Sequence, residues 1–220
     1  MSQQSGVPAE DPHRERRPTS HEQRAHQRWD ASYVNGPAPW DIGEPQPAIA
    51  RLAGEGAFAG AVLDAGCGTG ENGLHLAALG LHVLGVDVAE TALSIAREKA
   101  AARGLDAEFV TADALRLDLL GRTFETVLDC GLFHTFDRDE RRAYVAGLAS
   151  VLEPGGKLHV LCFSDVGPDD RGPHPVSEGE LRSAFEDPRG WSVAAVEADR
   201  IHTRFGAQGF PAWLAKIERT

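Results

Sequence analysis

The chain has 220 residues, 42% hydrophobic and 25% charged. That excludes a fully disordered, collagen-like or coiled-coil protein and fits one domain, with or without a tail. Its 33 acidic against 22 basic residues give a net charge of −11; nucleic acid and anionic membrane both attract a basic face, so neither is an expected partner.

Residues 1–20 are polar, with three prolines and mixed charge, and are expected to form a disordered tail. A short helix is predicted over residues 21–35, carrying Trp29 and Tyr33. Breakers from Gly36 to Gly43 make a loop, and Pro45 to Gly54 a second helix. From residue 60 short apolar strands alternate with helices. Strands are predicted at Ala61–Ala65, His82–Asp87, Glu108–Thr111, Phe124–Cys130 and Lys157–Phe163, and helices at 71–79, Glu90–Arg103 and Arg138–Leu152. This alternation predicts an α/β chain with a parallel sheet covered on both faces. The end differs: after a capping-box helix from Ser177 to about Phe185, strands at Trp191–Glu197 and Phe210–Ile217 follow one another without a helix, which predicts an antiparallel pair. A single domain over 21–220 is expected.

Cys67, Cys130 and Cys162 are too scattered for a disulfide framework or a zinc site. The first 30 residues hold no apolar core of signal-peptide length, and no run reaches the roughly 18 apolar residues of a membrane span. A soluble, cytoplasmic setting is expected. The carboxylates Asp129, Asp165 and Asp169 have no metal-ligand spacing, so no metal is expected.

The chemistry concentrates at Val62 to Gly70, a strand followed by Gly66-Cys67-Gly68-Thr69-Gly70 and then a helix. Such glycines reverse the chain and let a ligand approach the backbone. Asp87 ends the next strand, where a carboxylate accepts hydrogen bonds from both ribose hydroxyls. A nucleoside cofactor follows. Read from Gly66, the third position of the dinucleotide fingerprint is Glu71, an acid that would repel a diphosphate. Asp64, just before the turn, suits a cationic ammonium group better.

Val62 to Gly70, Asp87 and Thr111-Ala112-Asp113-Ala114, with the two closing strands, resemble the class I S-adenosylmethionine-dependent methyltransferases. The resemblance implies a Rossmann-like, mostly parallel seven-stranded sheet with an antiparallel last strand and helices on both faces. It implies S-adenosyl-L-methionine as cofactor. Asp64, Gly66, Gly68 and Gly70 would cradle its methionine part, Asp87 hold the ribose and Val88 lie against the adenine. Asp113 would accept from the adenine amino group with Ala114 beside it; on its own, Asp113 reads equally as a helix N-cap. Asp129 and Cys130 would border the sulfonium.

Trp29, Tyr33, Pro39 to Pro47 and Cys130 to Phe136 further resemble thiopurine methyltransferase-like enzymes and the actinobacterial methyltransferases of heterocyclic toxins and quinolones. By that likeness residues 21–55 fold over the cofactor, with Trp29 and Trp40 as its cover. The acceptor is then a small aromatic or heterocyclic molecule methylated on nitrogen, oxygen or sulfur, by a monomer or homodimer. A phenol or thiol acceptor gains from losing its proton. His134, after the fourth strand and with an intrinsic pKa of about 6.5, is the expected catalytic base. The loop Ser164 to Val176 reads as part of the acceptor wall. An oxidoreductase using a nicotinamide cofactor, or a non-catalytic module that binds the nucleoside, are the alternatives.

Overall fold

The structure, a computed structural model, describes residues 16–166, 174–185 and 190–220. Seven strands form one sheet: β1 (Ala61–Ala65), β2 (His82–Asp87), β3 (Ala107–Thr111), β4 (Phe124–Cys130), β5 (Leu152–Phe163), β6 (Trp191–Thr203) and β7 (Gly206–Arg219). Their order is β3-β2-β1-β4-β5-β7-β6. The first five run parallel, and β7 is antiparallel to both β5 and β6. This is the Rossmann-like sheet that the sequence predicts.

Among the described residues six α-helices accompany it: α1 (Ser20–Ala25), α2 (Pro47–Gly54), α3 (Glu71–Ala78), α4 (Glu90–Arg103), α5 (Arg138–Val151) and α6 (Glu178–Phe185). The central strands are apolar on both faces because both are covered. Leu63, Val127 and Leu158 pack with Tyr144 and Leu148 of α5. Their neighbours Val62, Leu128 and Leu161 pack with Ile49 and Leu52 of α2 and Leu76 of α3 on the other side. The strand order reverses between β1 and β4, and the crevice outside the carboxyl ends of strands at such a switch point is where a ligand sits in this architecture.

Four details differ from the sequence reading. The predicted helix over 21–35 breaks at His26, which is left-handed at φ 50°, and continues as a 3₁₀ turn at Trp29–Ser32. The cause is tertiary: the buried Glu22 carboxylate accepts from the Thr19 and Trp29 amides (2.8 and 3.2 Å) and from Arg16 (2.5 Å), folding the chain around itself. The predicted tail therefore gives way to ordered chain before residue 20, with Thr19 capping α1 and Arg16 docked on it; residues 1–15 of that tail lie outside the described residues. Strand β5 starts at Leu152, paired with Phe124, so Pro154-Gly155-Gly156 forms an irregularity within the strand rather than a helix stop. The closing strands reach Thr203 and back to Gly206, a tighter hairpin than their sequence suggests. Part of the Ser164–Val176 loop, residues 167–173, lies outside the described residues; its two ends meet in a parallel bridge.

Candidate functional site

The site is built on the turn after β1. Gly66 and Cys67 both donate their amides to the Val86 carbonyl (2.8 and 3.0 Å), which draws the turn against the end of β2. Gly66, Gly68 and Gly70 all have positive φ, and a side chain at Gly68 would stand 3.1 Å from the Tyr33 hydroxyl. Asp87 ends β2 with its carboxylate committed on both sides. Oδ2 accepts from the Gly68 amide (2.9 Å) and Oδ1 from the Ala89 amide (2.9 Å). Each oxygen keeps a second lone pair for a ligand. Burial raises this carboxyl above its ordinary pKa, against the pull of those amides.

A cavity of about 220 Å³ opens beside this turn, walled by Gly66, Gly68, Asp87, Val88, Ala114 and Cys130. Trp29, Tyr33 and Trp40 close over it as one aromatic cluster. Trp40 stands edge-on to both other rings, at 5.6 and 6.1 Å, and its indole N–H donates to the Tyr33 hydroxyl (3.0 Å). The cover is tied down at several points. Asp30 accepts from the Thr91 amide and hydroxyl at the start of α4 (2.7 and 2.9 Å), and Ser20 donates twice to Glu140 of α5 (2.6 Å each). Gln46 pairs with the His202 backbone in both directions (2.8 Å each).

Four expected ligands stand off the wall. Asp64 is buried and accepts from the Gly73 amide of α3 (3.0 Å). Gly70 packs against Ala96 and Phe109. Asp113 takes its other sequence reading, as the N-cap of a 3₁₀ helix: Oδ1 accepts from the Leu115 amide (2.9 Å), and its neighbours Ala112 and Ala114 form the wall instead. Asp129 is fully buried, and its Oδ1 accepts from the Leu132 and Phe133 amides (3.0 and 3.2 Å), shaping the turn that carries His134. The sequence reading also passes over Arg16, Thr19, His21 and Asn72, all on the wall. Arg16 and Thr19 sat in the presumed tail, and nothing local marks His21 or Asn72.

His134 reaches the wall, and its hydrogen bonding and burial point away from the role of base. β5 outruns β4: the Gly131 amide still pairs with Leu161, and beyond it the Phe163 amide has no strand partner. The His134 Nδ1 accepts that amide at 3.2 Å. Burial, reinforced by Arg141, His21 and His174, lowers its pKa to about 3, so the ring is neutral with its proton on Nε2. The nitrogen that a base would use is already occupied.

The wall fits a cationic nucleoside better than a diphosphate. It carries the carboxylates Asp41, Glu44 and Asp87, while Glu71 is paired with Lys99 and Arg103 and the guanidinium of Arg16 with Glu22. Glu71 is held below the usual carboxylate range: burial opposes this, but Arg103 (2.8 and 2.9 Å) and Lys99 (2.9 Å) prevail. Asp64 behaves oppositely, raised to about 7 by burial, with the Gly73 amide only partly offsetting it. In the folded chain Asp64 keeps a proton that the unfolded chain releases near pH 4. Its favourable share of stability is complete below that point and lost as pH rises through about 7. Asp64→Asn, which retains an amide acceptor without the charge, is expected to match the wild type in melting temperature near pH 4, to gain on it progressively between pH 4 and 7, and to keep a constant advantage above that. A difference between the two that stays constant from pH 5 to 8 would contradict the buried-carboxylate assignment.

The model of a methyltransferase domain matches residues 62–156. A relative, the 2-heptyl-1-hydroxyquinolin-4(1H)-one methyltransferase of Mycobacteroides abscessus, is 38% identical over 167 residues, 74% of this chain and 73% of its own length. A structure solved for the conversion of a disulfide bond into a thioacetal group during echinomycin biosynthesis is 41% identical, with a TM-score of 0.78, covering 86% of this chain and 91% of that one. The magnesium protoporphyrin IX methyltransferase of Synechocystis PCC 6803, solved with bound S-adenosylmethionine, is 27% identical, with a TM-score of 0.61 over 79% of this chain and 76% of that one.

Proposed function

From the premise that this chain belongs to the S-adenosylmethionine-dependent methyltransferases, we propose that it methylates a small aromatic heterocycle of the hydroxyquinolone type. When bound, the cofactor supplies an electrophilic methyl group on a sulfonium, which a lone pair displaces in line. The chain's own contribution is to hold donor and acceptor together and keep water out. Gly66, Gly68, Asp87 and Val88 would hold the cofactor, with Cys130 beside its sulfur and residues 21–55 as the cover.

One observation carries the acceptor class. The aromatic cover of Trp29, Tyr33 and Trp40 and the apolar residues Leu132, Phe136 and Phe163 wall the same cavity. That arrangement suits a flat ring. The quinolone relative supports the same class. Among the described residues no helix is long and apolar enough to cross a membrane, and we place the enzyme in the cytoplasm as a monomer or homodimer. Incubation with methyl-labelled S-adenosylmethionine and a panel of hydroxyquinolines, phenols and thiols tests the reading. Label is expected to move fastest to the hydroxyquinolines. Transfer confined to aliphatic thiols would overturn the aromatic assignment.

A further inference from the structure

We propose that His134 is a hydrogen-bond donor to the acceptor, so that the site takes its substrate as an oxygen or sulfur anion already deprotonated in solution. This deepens the acceptor reading above and rests on it. The first observation is the direction of the imidazole. Nδ1 is held by the Phe163 amide, which leaves Nε2 to carry the proton. The ring is 4% exposed and lies on the cavity wall, and Nε2 has no protein partner among the described residues. His134 therefore brings a donor to the wall of the cavity in which the acceptor must lie.

The second observation is what surrounds that donor. Arg141 of α5, His21 of α1 and His174 after β5 act on the ring. Asp129 of β4 is turned to the Leu132 and Phe133 amides. Arg141 donates to the Phe133 and His174 carbonyls (3.3 and 3.4 Å), and Arg24 of α1 touches the His174 ring. Burial lowers the pKa of His21 and of His174, and Asp137 and Glu180 also act on Arg141, with Glu180 of α6 3.9 Å from it; the Arg141 guanidinium is the permanent positive charge acting on the His134 ring, and it favours an anion beside the donor.

The third step is chemical. A neutral ring nitrogen has one lone pair, and a hydrogen bond to it would block attack. A phenolate-type oxygen or a thiolate has several, so one can rest on Nε2–H while another faces the methyl group. The acceptor's proton leaves to solvent before binding, and the imidazole keeps its own throughout.

The test pairs a spectrum with a rate profile. In ¹⁵N-histidine-labelled protein with S-adenosylhomocysteine, the His134 resonances should show Nε2 protonated and Nδ1 bare, unchanged from pH 5 to 8. Titration in that range, or a proton on Nδ1, would overturn the proposal. The pH profile of kcat/KM is then measured with 2-heptyl-1-hydroxyquinolin-4(1H)-one and with one more acidic and one less acidic ring-substituted analogue. Its rising limb should move with the acidity of each; a limb fixed near pH 6–7 for all three would overturn the proposal. His134→Ala should lower kcat/KM about a hundredfold, and His134→Gln, whose amide N–H can replace the donor, should restore most of it. If the quinolones are not methylated at all, the acceptor reading fails while the spectrum still decides the state of His134.

Discussion

Asp87→Ala is expected to weaken binding of S-adenosylhomocysteine about a hundredfold. The carboxylate does two things at once: it fixes the turn after β1 through Gly68 and the start of α4 through Ala89, and it presents its remaining lone pairs to the cavity. Hydrogen bonds to a charged group contribute about 1.5–3 kcal/mol each, and alanine removes every one of them. A loss of about 2.7 kcal/mol is a hundredfold in affinity. Asparagine keeps one amide contact but turns an N–H₂ toward the other, so Asp87→Asn should fall between, at about tenfold. Calorimetric titration checks both. Alanine binding within threefold of wild type would show that the β2 carboxylate is not part of the cofactor site.

Gly70→Ala should lower stability more than any single change at the cavity wall. Gly70 has φ 81°, and a Cβ there would stand 2.9 Å from the Ala96 Cβ and from the Phe109 ring. The left-handed backbone costs about 1–2 kcal/mol for a non-glycine residue, and overpacking a tight contact adds about 1–3 kcal/mol. A melting temperature lower by about 10 °C follows for a chain of this size. Gly104→Ala is the control, because Gly104 shares the positive φ of 64° but has nothing within 4 Å of its added Cβ. It should show the backbone cost alone. Equal losses at the two positions would mean that the packing of α4 and β3 against the turn is loose.

The sheet was legible because each central strand is an apolar run ended by a turn, and the run itself dictates burial on both faces. The glycine turn and Asp87 were legible because positive φ and a strand-end carboxylate leave local marks. What the sequence concealed depends on tertiary partners. The break at His26 follows from Glu22 gathering Arg16, Thr19 and Trp29, and a periodic pattern cannot show a buried ion pair. Asp113 had two readings, and the amide of Leu115 decides between them. The position of His134 after β4 marks it for the cavity, but its hydrogen-bond state leaves no local sign in the sequence. The deciding partner is a backbone amide 29 residues away, exposed only because β5 is longer at its end than β4.

Gly66, Gly68 and Asp87 together carry the claim that this fold holds a sulfonium nucleoside. Isothermal titration of the wild-type protein with S-adenosylhomocysteine, and in parallel with NADH, tests it most directly. One-site binding heat with the first and none with the second is the expected result. Saturable binding of NADH with no heat from S-adenosylhomocysteine, in folded protein, would contradict it.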